Sequence, residues 1–229
     1  MPGRSGDDAA AAPDAPGPRD ERYLFNPHGV HWSMVRPEDL LLTDGEGRTL
    51  EGRGEVEDTA LHIHVAGHRA NARHRAILHT HMPWATALAM LELPAGTLHM
   101  AHQSACRFAG RLVREETFGG LAHDGAEGER LAAAARAHPG ADVTLLANHG
   151  VVVGGPSVAL AFDDLYYLER ACRQQVLAMQ TGAPLKLLPD DVVRATAAQF
   201  ARDLEPYAER HFAALGRTLA AHPDRALPF

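Results

Sequence analysis

The amino-acid sequence predicts a mixed α/β fold, because short apolar runs typical of strands alternate with longer segments that have helical periodicity. This prediction rests mainly on two segments of the sequence. Residues 75–81 read RAILHTH, a short apolar strand, and Pro83 then begins a helix. Residues 143–153 place an apolar strand on each side of the turn NHG, and a long helix capped by Ser157 follows. The chain therefore alternates strands and helices instead of repeating one kind of element.

The remaining elements follow from local start and stop signals along the 229 residues. The predicted strands lie at 23–25, 40–43, 48–50, 75–81, 143–147 and 151–153, and the second and third form a hairpin. The predicted helices lie at about 58–67, 83–93, 124–138, 157–181, 190–203 and 206–221. Residues 1–20 are rich in Ala and Pro and are expected to form a disordered tail, so that 21–229 form one domain.

Composition and charge exclude several classes of protein. With 45% hydrophobic and 22% charged residues, the chain is expected to be globular. It has no apolar run near the roughly 20 residues that a membrane span needs. The formal net charge of −7 offers no basic surface for nucleic acid. Cys106 and Cys172 lie far apart and indicate neither a disulfide framework nor a thiolate zinc site, so the cytoplasm is the expected location.

Three of the 15 histidines carry the strongest chemical signal. His79 and His81 alternate on one strand, so that both rings project from the same face at its C-terminal end. His149 lies in a turn between two apolar strands, where rigid neighbours would hold a ligand. The plain alternatives are that the pair are partly exposed strand-end residues, and that the NHG segment is only a turn. Together, three imidazoles would leave an open coordination position, as a catalytic Zn²⁺ site requires.

A carboxylate is the further part that such a site needs. Glu57 and Asp58 lie just before the helix that precedes the His-x-His strand. Either is a candidate for a fourth ligand that substrate displaces, or for a base that works beside the metal. A helix N-cap is the competing role for Asp58, and a carboxylate at a helix start that also reaches a metal would serve both.

Other polar residues on the predicted helices are expected to be structural. His64 and His68 share one helix face at i and i+4 spacing, where they are predicted to be solvated. Glu169, on the long helix, is predicted to lie on the helix surface. His62 faces another direction and is a candidate outer neighbour of the site.

The segments LHIHVAGHRANARHRAILHTHMPWATALAMLE and LLANHGVVVGGPSVALAFDDLYYLERACRQQVLAM resemble the class II aldolase/adducin domain. The similarity begins with RYLFNPHGVHW at Arg22 and continues to about Gly182. The resemblance implies a three-layer α/β/α sandwich with a central, mainly antiparallel sheet. It also implies a homotetramer, with the site between subunits, that acts on a small molecule.

The resemblance also implies the residues of the site. The histidines of the family's HTH and NHG motifs are its metal ligands, which correspond here to His79, His81 and His149. Zn²⁺ is the expected ion, and Fe, Mn or Co are alternatives. The family's acidic residue lies four positions before the histidine of an LH pair, which corresponds to Asp58, with Glu57 one step away.

The chain departs from the sugar-phosphate aldolases of that family in ways that bear on the substrate. It has no Gly-Asn-x-Ser loop near its start, and Val56-Glu57 stands where those enzymes have a Ser-Ser pair that helps to hold phosphate. The helix expected before that loop is replaced by the Ala/Pro tail, and the family's catalytic tyrosine has no assignable counterpart. Because an acidic pair would repel phosphate, a small, non-phosphorylated carbonyl or hydroxy compound is the expected substrate.

The expected activity is that of a divalent-metal-dependent lyase of the class II aldolase type. The metal would act as a Lewis acid that stabilises an enediolate, while Glu57 or Asp58 moves the proton. One alternative is a non-haem iron oxygenase or a decarboxylase, because iron oxygenases of aminocoumarin antibiotic pathways resemble this fold and Fe²⁺ accepts imidazole ligands. Another is a non-catalytic interaction module, as in adducin heads, although those lose the metal ligands.

Overall fold

The computed structural model describes residues 21–121 and 125–221. The predicted tail at 1–20 lies outside the described residues, and the assignment of 21–229 to one domain stays a prediction. The chain divides into two compact units, which meet in sequence between Glu57 and Asp58. Within the described ranges, none of the helices combines the length and the apolar character that a membrane crossing requires.

The first unit contains a small antiparallel sheet. Strands β1 (Tyr23–Phe25), β2 (Leu41–Thr43) and β3 (Thr49–Glu51) pair in that order, so the predicted hairpin is confirmed. Asp44 shapes the turn between β2 and β3, because one of its carboxylate oxygens accepts the backbone N–H groups two and four residues farther on, at 2.9 and 3.0 Å.

The second unit is built around a four-stranded mixed sheet. Its elements in chain order are α1 (Asp58–Ala70), β4 (Ala76–Thr80), α2 (Pro83–Ala89), β5 (Leu112–Glu115), α3 (Ala126–Ala137), β6 (Val143–Leu146), β7 (Gly150–Gly155), α4 (Val158–Met179) and α5 (Asp190–Ala221), with a 3-10 helix at Gln103–Phe108. The strand order is β4-β7-β6-β5. β7 is antiparallel to both of its neighbours, whereas β5 and β6 are parallel. The predicted α/β class, with a mainly antiparallel sheet flanked by helices, is confirmed.

Helices cover both faces of this sheet. Consecutive side chains of a strand point in opposite directions, so each face presents its own side chains for a helix to pack against. In β4, Ile77 faces α1, and a Cβ added at Gly67 would lie 2.9 Å from its Cδ1. The next residue, Leu78, packs against the main core cluster, to which α4 contributes Leu165 and Leu168. The sheet is thus held between α1 on one side and α4 on the other.

α5 is one helix, so the prediction of two helices at 190–203 and 206–221 is wrong. Pro206 lies inside α5, where a proline removes a helical hydrogen bond at a cost of about 3 kcal/mol. The helix continues because the residues beyond the proline dock on the protein. Ala208 is buried, and the Nδ1–H group of His211 donates to the Asp163 carboxylate of α4 at 2.5 Å. Tertiary contacts outweigh the local stop signal.

A buried ionic network joins α4 to the 3-10 helix and to the start of β6. The side chain of Arg107 is 5% exposed and binds Asp163 at 2.5 Å and Asp164 at 2.7 Å. Arg111 extends the network, since it binds Asp164 at 2.6 Å and Asp142 at 2.8 Å. Each buried carboxylate therefore has a guanidinium partner, which offsets the cost of removing it from water.

Candidate metal centre

β4 carries the His-x-His pair to one end of the sheet. His79 pairs with Val152 of β7 in the antiparallel ladder, and His81 lies just beyond the end of the strand. Thr80, between them, projects to the other face. The two imidazoles are therefore neighbours, with their ring centroids 5.2 Å apart.

The turn between β6 and β7 brings His149 to the same end of the sheet. Asn148 adopts a positive φ of 57°, and the backbone N–H of His149 donates to the carbonyl oxygen of Leu146 at 3.1 Å. A glycine is required at position 150 because the backbone there lies very close to the end of β4, and not because of a positive φ. A Cβ at Gly150 would lie 2.5 Å from the backbone oxygen of Thr80, and only a residue without a side chain fits there.

The structure brings the three predicted histidines together. The ring centroid of His149 lies 4.8 Å from that of His79 and 4.9 Å from that of His81. One possible ligand atom from each residue lies within 4.8 Å of the other two. Two nitrogens bound to one tetrahedral ion at about 2.1 Å are about 3.4 Å apart. To bind one ion, the ligand atoms of the three histidines would therefore need to move closer together by little more than an ångström.

The surroundings of His79 suit a metal ligand. Its Nδ1–H group donates to the backbone oxygen of Val151 at 3.0 Å, which fixes the ring and leaves Nε2 without a proton. Burial, together with the neighbouring His149, lowers the pKa of His79 to about 4, so the ring is neutral near pH 7. Neutral imidazole is the form that binds Zn²⁺ or Fe²⁺. The three-histidine cluster is thus consistent with a divalent metal site.

His149 has further neighbours that the sequence did not single out. The ring of Phe118 lies 5.6 Å from the His149 ring between centroids and is half-exposed. Burial and the nearby His81 lower the pKa of His149, whereas the charge of Glu127 acts in the opposite direction. Arg130 binds Glu127 and holds the pKa of that carboxyl below its usual value. No local pattern marks these residues, because only the fold brings them to the cluster.

The two predicted carboxylates lie where α1 begins. Asp58 is the exposed first residue of α1, and Glu57 precedes it as a half-buried residue of the first unit. Five residues join α1 to β4, so the helix runs back along the strand, and His64 interacts electrostatically with His79. Asp58 lies about 9 Å beyond His64 along the helix axis, towards the end of the sheet that carries His81. The roles of Asp58 and Glu57 as ligand or base stay predictions.

The prediction that His64 and His68 are solvated is wrong. Burial, with a smaller effect of His68, lowers the pKa of His64 to about 4. The Nδ1–H group of His68 donates to the backbone oxygen of His74 at 2.7 Å. The prediction failed because α1 packs against both β4 and α3, which leaves it little solvated surface. His62, the candidate outer neighbour of the site, lies against α3, where a Cβ added at Gly128 would be 2.6 Å from its backbone oxygen.

Glu169 is not a surface residue of α4, as the sequence predicted, but a cap for α2. Its two carboxylate oxygens accept the backbone N–H groups of Trp84 and Ala85, each at 2.9 Å. These are among the first N–H groups of α2, which have no partner inside the helix. Since α2 begins two residues after His81, Glu169 also anchors the chain just beyond the histidine pair.

Known proteins resemble the chain in sequence. The model of the class II aldolase and adducin N-terminal domain matches residues 9–176. Decarboxylase NovR from Streptomyces niveus is 32% identical over 86% of the chain and 72% of its own length. The 4-hydroxy-3-prenylphenylpyruvate oxygenase/4-hydroxy-3-prenylbenzoate synthase of Streptomyces roseochromogenus subsp. oscitans is 30% identical over 90% of the chain and 72% of its own length. Aldolases, among them a 5-deoxy-D-ribulose 1-phosphate aldolase, also match.

A solved structure agrees with these relatives. The crystal structure of an aldolase II superfamily protein from Pseudomonas syringae superposes with a TM-score of 0.78 at 31% identity, covering 89% of the chain and 80% of that protein. The similarity therefore extends through the sheet, the helices and the histidine-bearing segments, and is not confined to a short motif.

Proposed function

The chain belongs to the class II aldolase and adducin N-terminal domain family, and on that premise we propose that it is a divalent-metal-dependent lyase. The proposed reaction breaks the carbon–carbon bond between the α and β carbons of a carbonyl group in a small, non-phosphorylated substrate. Aldol cleavage and decarboxylation are the two forms of this chemistry that the names of its relatives describe.

The meeting of three imidazoles at one end of the sheet is the observation that carries the proposal. His79, His81 and His149 would hold the ion, which we expect to be Zn²⁺, with Fe, Mn or Co as alternatives. A bound divalent ion would supply Lewis acidity to a carbonyl oxygen, which would stabilise the negative charge that moves onto this oxygen from the α carbon when the bond to the β carbon breaks. The hydrogen bond from His79 to the backbone keeps that ring in the orientation and tautomer that a ligand needs.

A carboxylate beside the cluster would move the proton. We assign this role to Asp58, because α1 runs back along β4 and begins towards the end of the sheet where the histidines lie. An exposed carboxylate can take a proton from a substrate hydroxyl or return one to carbon. Glu57, one residue earlier, is the alternative group for this step.

A substrate without phosphate fits the residues at this point of the chain. Glu57 and Asp58 are consecutive acids, and two negative charges oppose the binding of a phosphate group. Phe118 adds an apolar, half-exposed ring beside His149. A small carbonyl or hydroxy compound with an apolar portion would suit Asp58 and Phe118 better than a sugar phosphate would.

An oxygenase is the second candidate, because a relative with 30% identity is named as one and an all-imidazole site also accepts Fe²⁺. A non-catalytic module is the third, because beta-adducin is among the relatives. The clustered histidines favour an enzyme over this third candidate, since a purely structural role would not require three imidazoles to face one another.

Turnover of metal-loaded protein under argon and in air separates these candidates. The metal-free protein is loaded with Zn²⁺, Co²⁺, Mn²⁺ or Fe²⁺ and given 4-hydroxy-2-keto acids, β-keto acids and arylpyruvates. We expect a carbonyl product or carbon dioxide, formed equally well without oxygen and lost in the His79→Ala variant. Turnover that needs Fe²⁺ and consumes oxygen would replace the lyase by the oxygenase. Protein that retains no metal would favour the module.

The assembly is also a proposal. Enzymes of this family are commonly tetramers, so we expect a homotetramer in solution, with no nucleic acid or membrane as partner. Light scattering coupled to size-exclusion chromatography measures the mass directly. A mass of one 24.6 kDa chain would contradict this expectation.

A further inference from the structure

A short segment beside the histidine cluster is held by two carboxylates. Glu115 is the last residue of β5, and its side chain accepts the backbone N–H of Thr117 at 3.2 Å. Glu127, in the first turn of α3, accepts the backbone N–H of Gly119. A Cβ at Gly119 would lie 2.6 Å from the Glu127 Oε2 atom, so this carboxylate lies directly against the backbone. The two bonds fix the residues on either side of Phe118.

Arg130 joins the two carboxylates. Its Nη1 donates to Glu115 at 2.6 Å, and its Nε and Nη2 donate to the two oxygens of Glu127 at 2.9 and 2.5 Å. The Glu127 side chain is 7% exposed and those of Arg130 and Glu115 about a quarter, so solvent screens these pairs only in part. The planar guanidinium is suited to this geometry because it presents several donors in fixed directions.

The segment held in this way reaches His149 from two directions. Through the side chain, the Phe118 ring lies 5.6 Å from the His149 ring between centroids. Through the backbone, the N–H of Ala147 donates to the carbonyl oxygen of Glu115 at 2.9 Å, within the turn that carries His149. The charges of Glu127 and Arg130 also act on His149. The ion pairs are therefore linked to one of the three clustered imidazoles.

We propose that Arg130 is a positioning residue of the metal centre: by bridging Glu115 and Glu127, it fixes Phe118 against His149 and thereby holds that ring in the orientation for metal binding. This inference rests on the proposed function, because it assumes that His149 is a ligand. Outer groups that orient a ligand typically change metal affinity by about 10- to 100-fold when they are removed.

Co²⁺ binding tests the proposal in a double-mutant cycle, with affinity measured by chelator competition and the ligand field by the visible absorption spectrum. We expect Arg130→Met to weaken Co²⁺ binding about tenfold and to change the spectrum, and Phe118→Ala to do the same. If Arg130 acts through Phe118, the double variant will be about tenfold weaker than wild type. Roughly hundredfold weakening would show independent routes and overturn the proposal, as would wild-type affinity in Arg130→Met.

A matched control comes from the same helix. Arg136 binds Glu129 on the exposed surface of α3, so Arg136→Met also removes an ion pair from α3 but none beside His149. We expect it to leave Co²⁺ affinity and spectrum unchanged. If Arg130→Met does not fold, Phe118→Ala is the deciding variant, because we expect the loss of a half-exposed ring to leave the fold intact; unchanged affinity in that variant would overturn the proposal.

Hydrogen exchange of the metal-free protein separates this inference from the proposed function. We expect the amides of Thr117 and Gly119 to exchange at least tenfold faster in Arg130→Met and at the wild-type rate in Arg136→Met. Unchanged exchange in Arg130→Met would refute the inference even if the protein binds metal. If exchange is faster in Arg130→Met but the wild-type protein binds no Co²⁺, the proposed function is refuted, and the positioning role falls with it.

Discussion

The close approach of Gly150 to the end of β4 predicts that Gly150→Ala damages both stability and metal binding. The added Cβ would lie 2.5 Å from the Thr80 backbone oxygen and 2.8 Å from the His81 Cδ2 atom. Ordinary contacts are near 3.5 Å, so the strands must separate by about 1 Å. Overpacking costs about 1–3 kcal/mol, and we expect the upper end, because a backbone oxygen cannot rotate away. That corresponds to a fall in Tm of roughly 6–12 °C for a chain of this size.

Thermal unfolding of the metal-free protein measures this cost, and Co²⁺ titration measures the displacement of His81, for which we expect at least about tenfold weaker binding. Gly140→Ala is the matched control, because a Cβ at Gly140 meets no atom within 4 Å. Its Tm should stay within about 4 °C of wild type or rise slightly. A Gly150→Ala variant with wild-type Tm and affinity would refute the reasoning from close approach.

Three further predictions concern buried charge and capping. Arg107→Met should lower the free energy of unfolding in urea by about 3–5 kcal/mol, because Asp163 and Asp164 lose a buried partner; a loss below about 1 kcal/mol would contradict this. Glu169→Gln should cost about 1–2 kcal/mol, because the neutral amide has one acceptor oxygen where the carboxylate has two, so one of the two N–H groups of α2 loses its partner; an unchanged urea midpoint would count against the cap. Burial opposes ionisation of Asp142, but its hydrogen bond to a histidine and nearby arginines hold its pKa below the usual value. Ionised Asp142 should therefore contribute fully to the free energy of unfolding above about pH 4, and this contribution should be lost as the pH falls below that value. Asp142→Asn should make the free energy of unfolding less dependent on pH in this acidic range.

The histidine cluster could be predicted because each part has a local signal. Alternation on a strand places His79 and His81 on one face whatever the rest of the fold does. A turn between two apolar strands places His149 at a sheet edge. Their convergence needs only the antiparallel pairing of β4 with β7.

The outer parts of the site could not be predicted, because they depend on contacts between distant segments. Glu169 caps α2 across 85 positions of sequence, and no helical pattern distinguishes such a carboxylate from a solvated one. Phe118 and Arg130 lie outside every recognisable motif and reach His149 only through the sheet order. Pro206 is a strong local stop signal, and only the docking of the residues beyond it explains the continuous helix.

Metal content is the measurement that tests the central claim most directly. Elemental analysis of protein purified without chelator should find about one divalent ion per chain. The same analysis of a variant with alanine at His79, His81 and His149 should find none, while its circular dichroism stays that of a folded α/β protein. A triple variant that retains a stoichiometric ion and turns over would contradict the account.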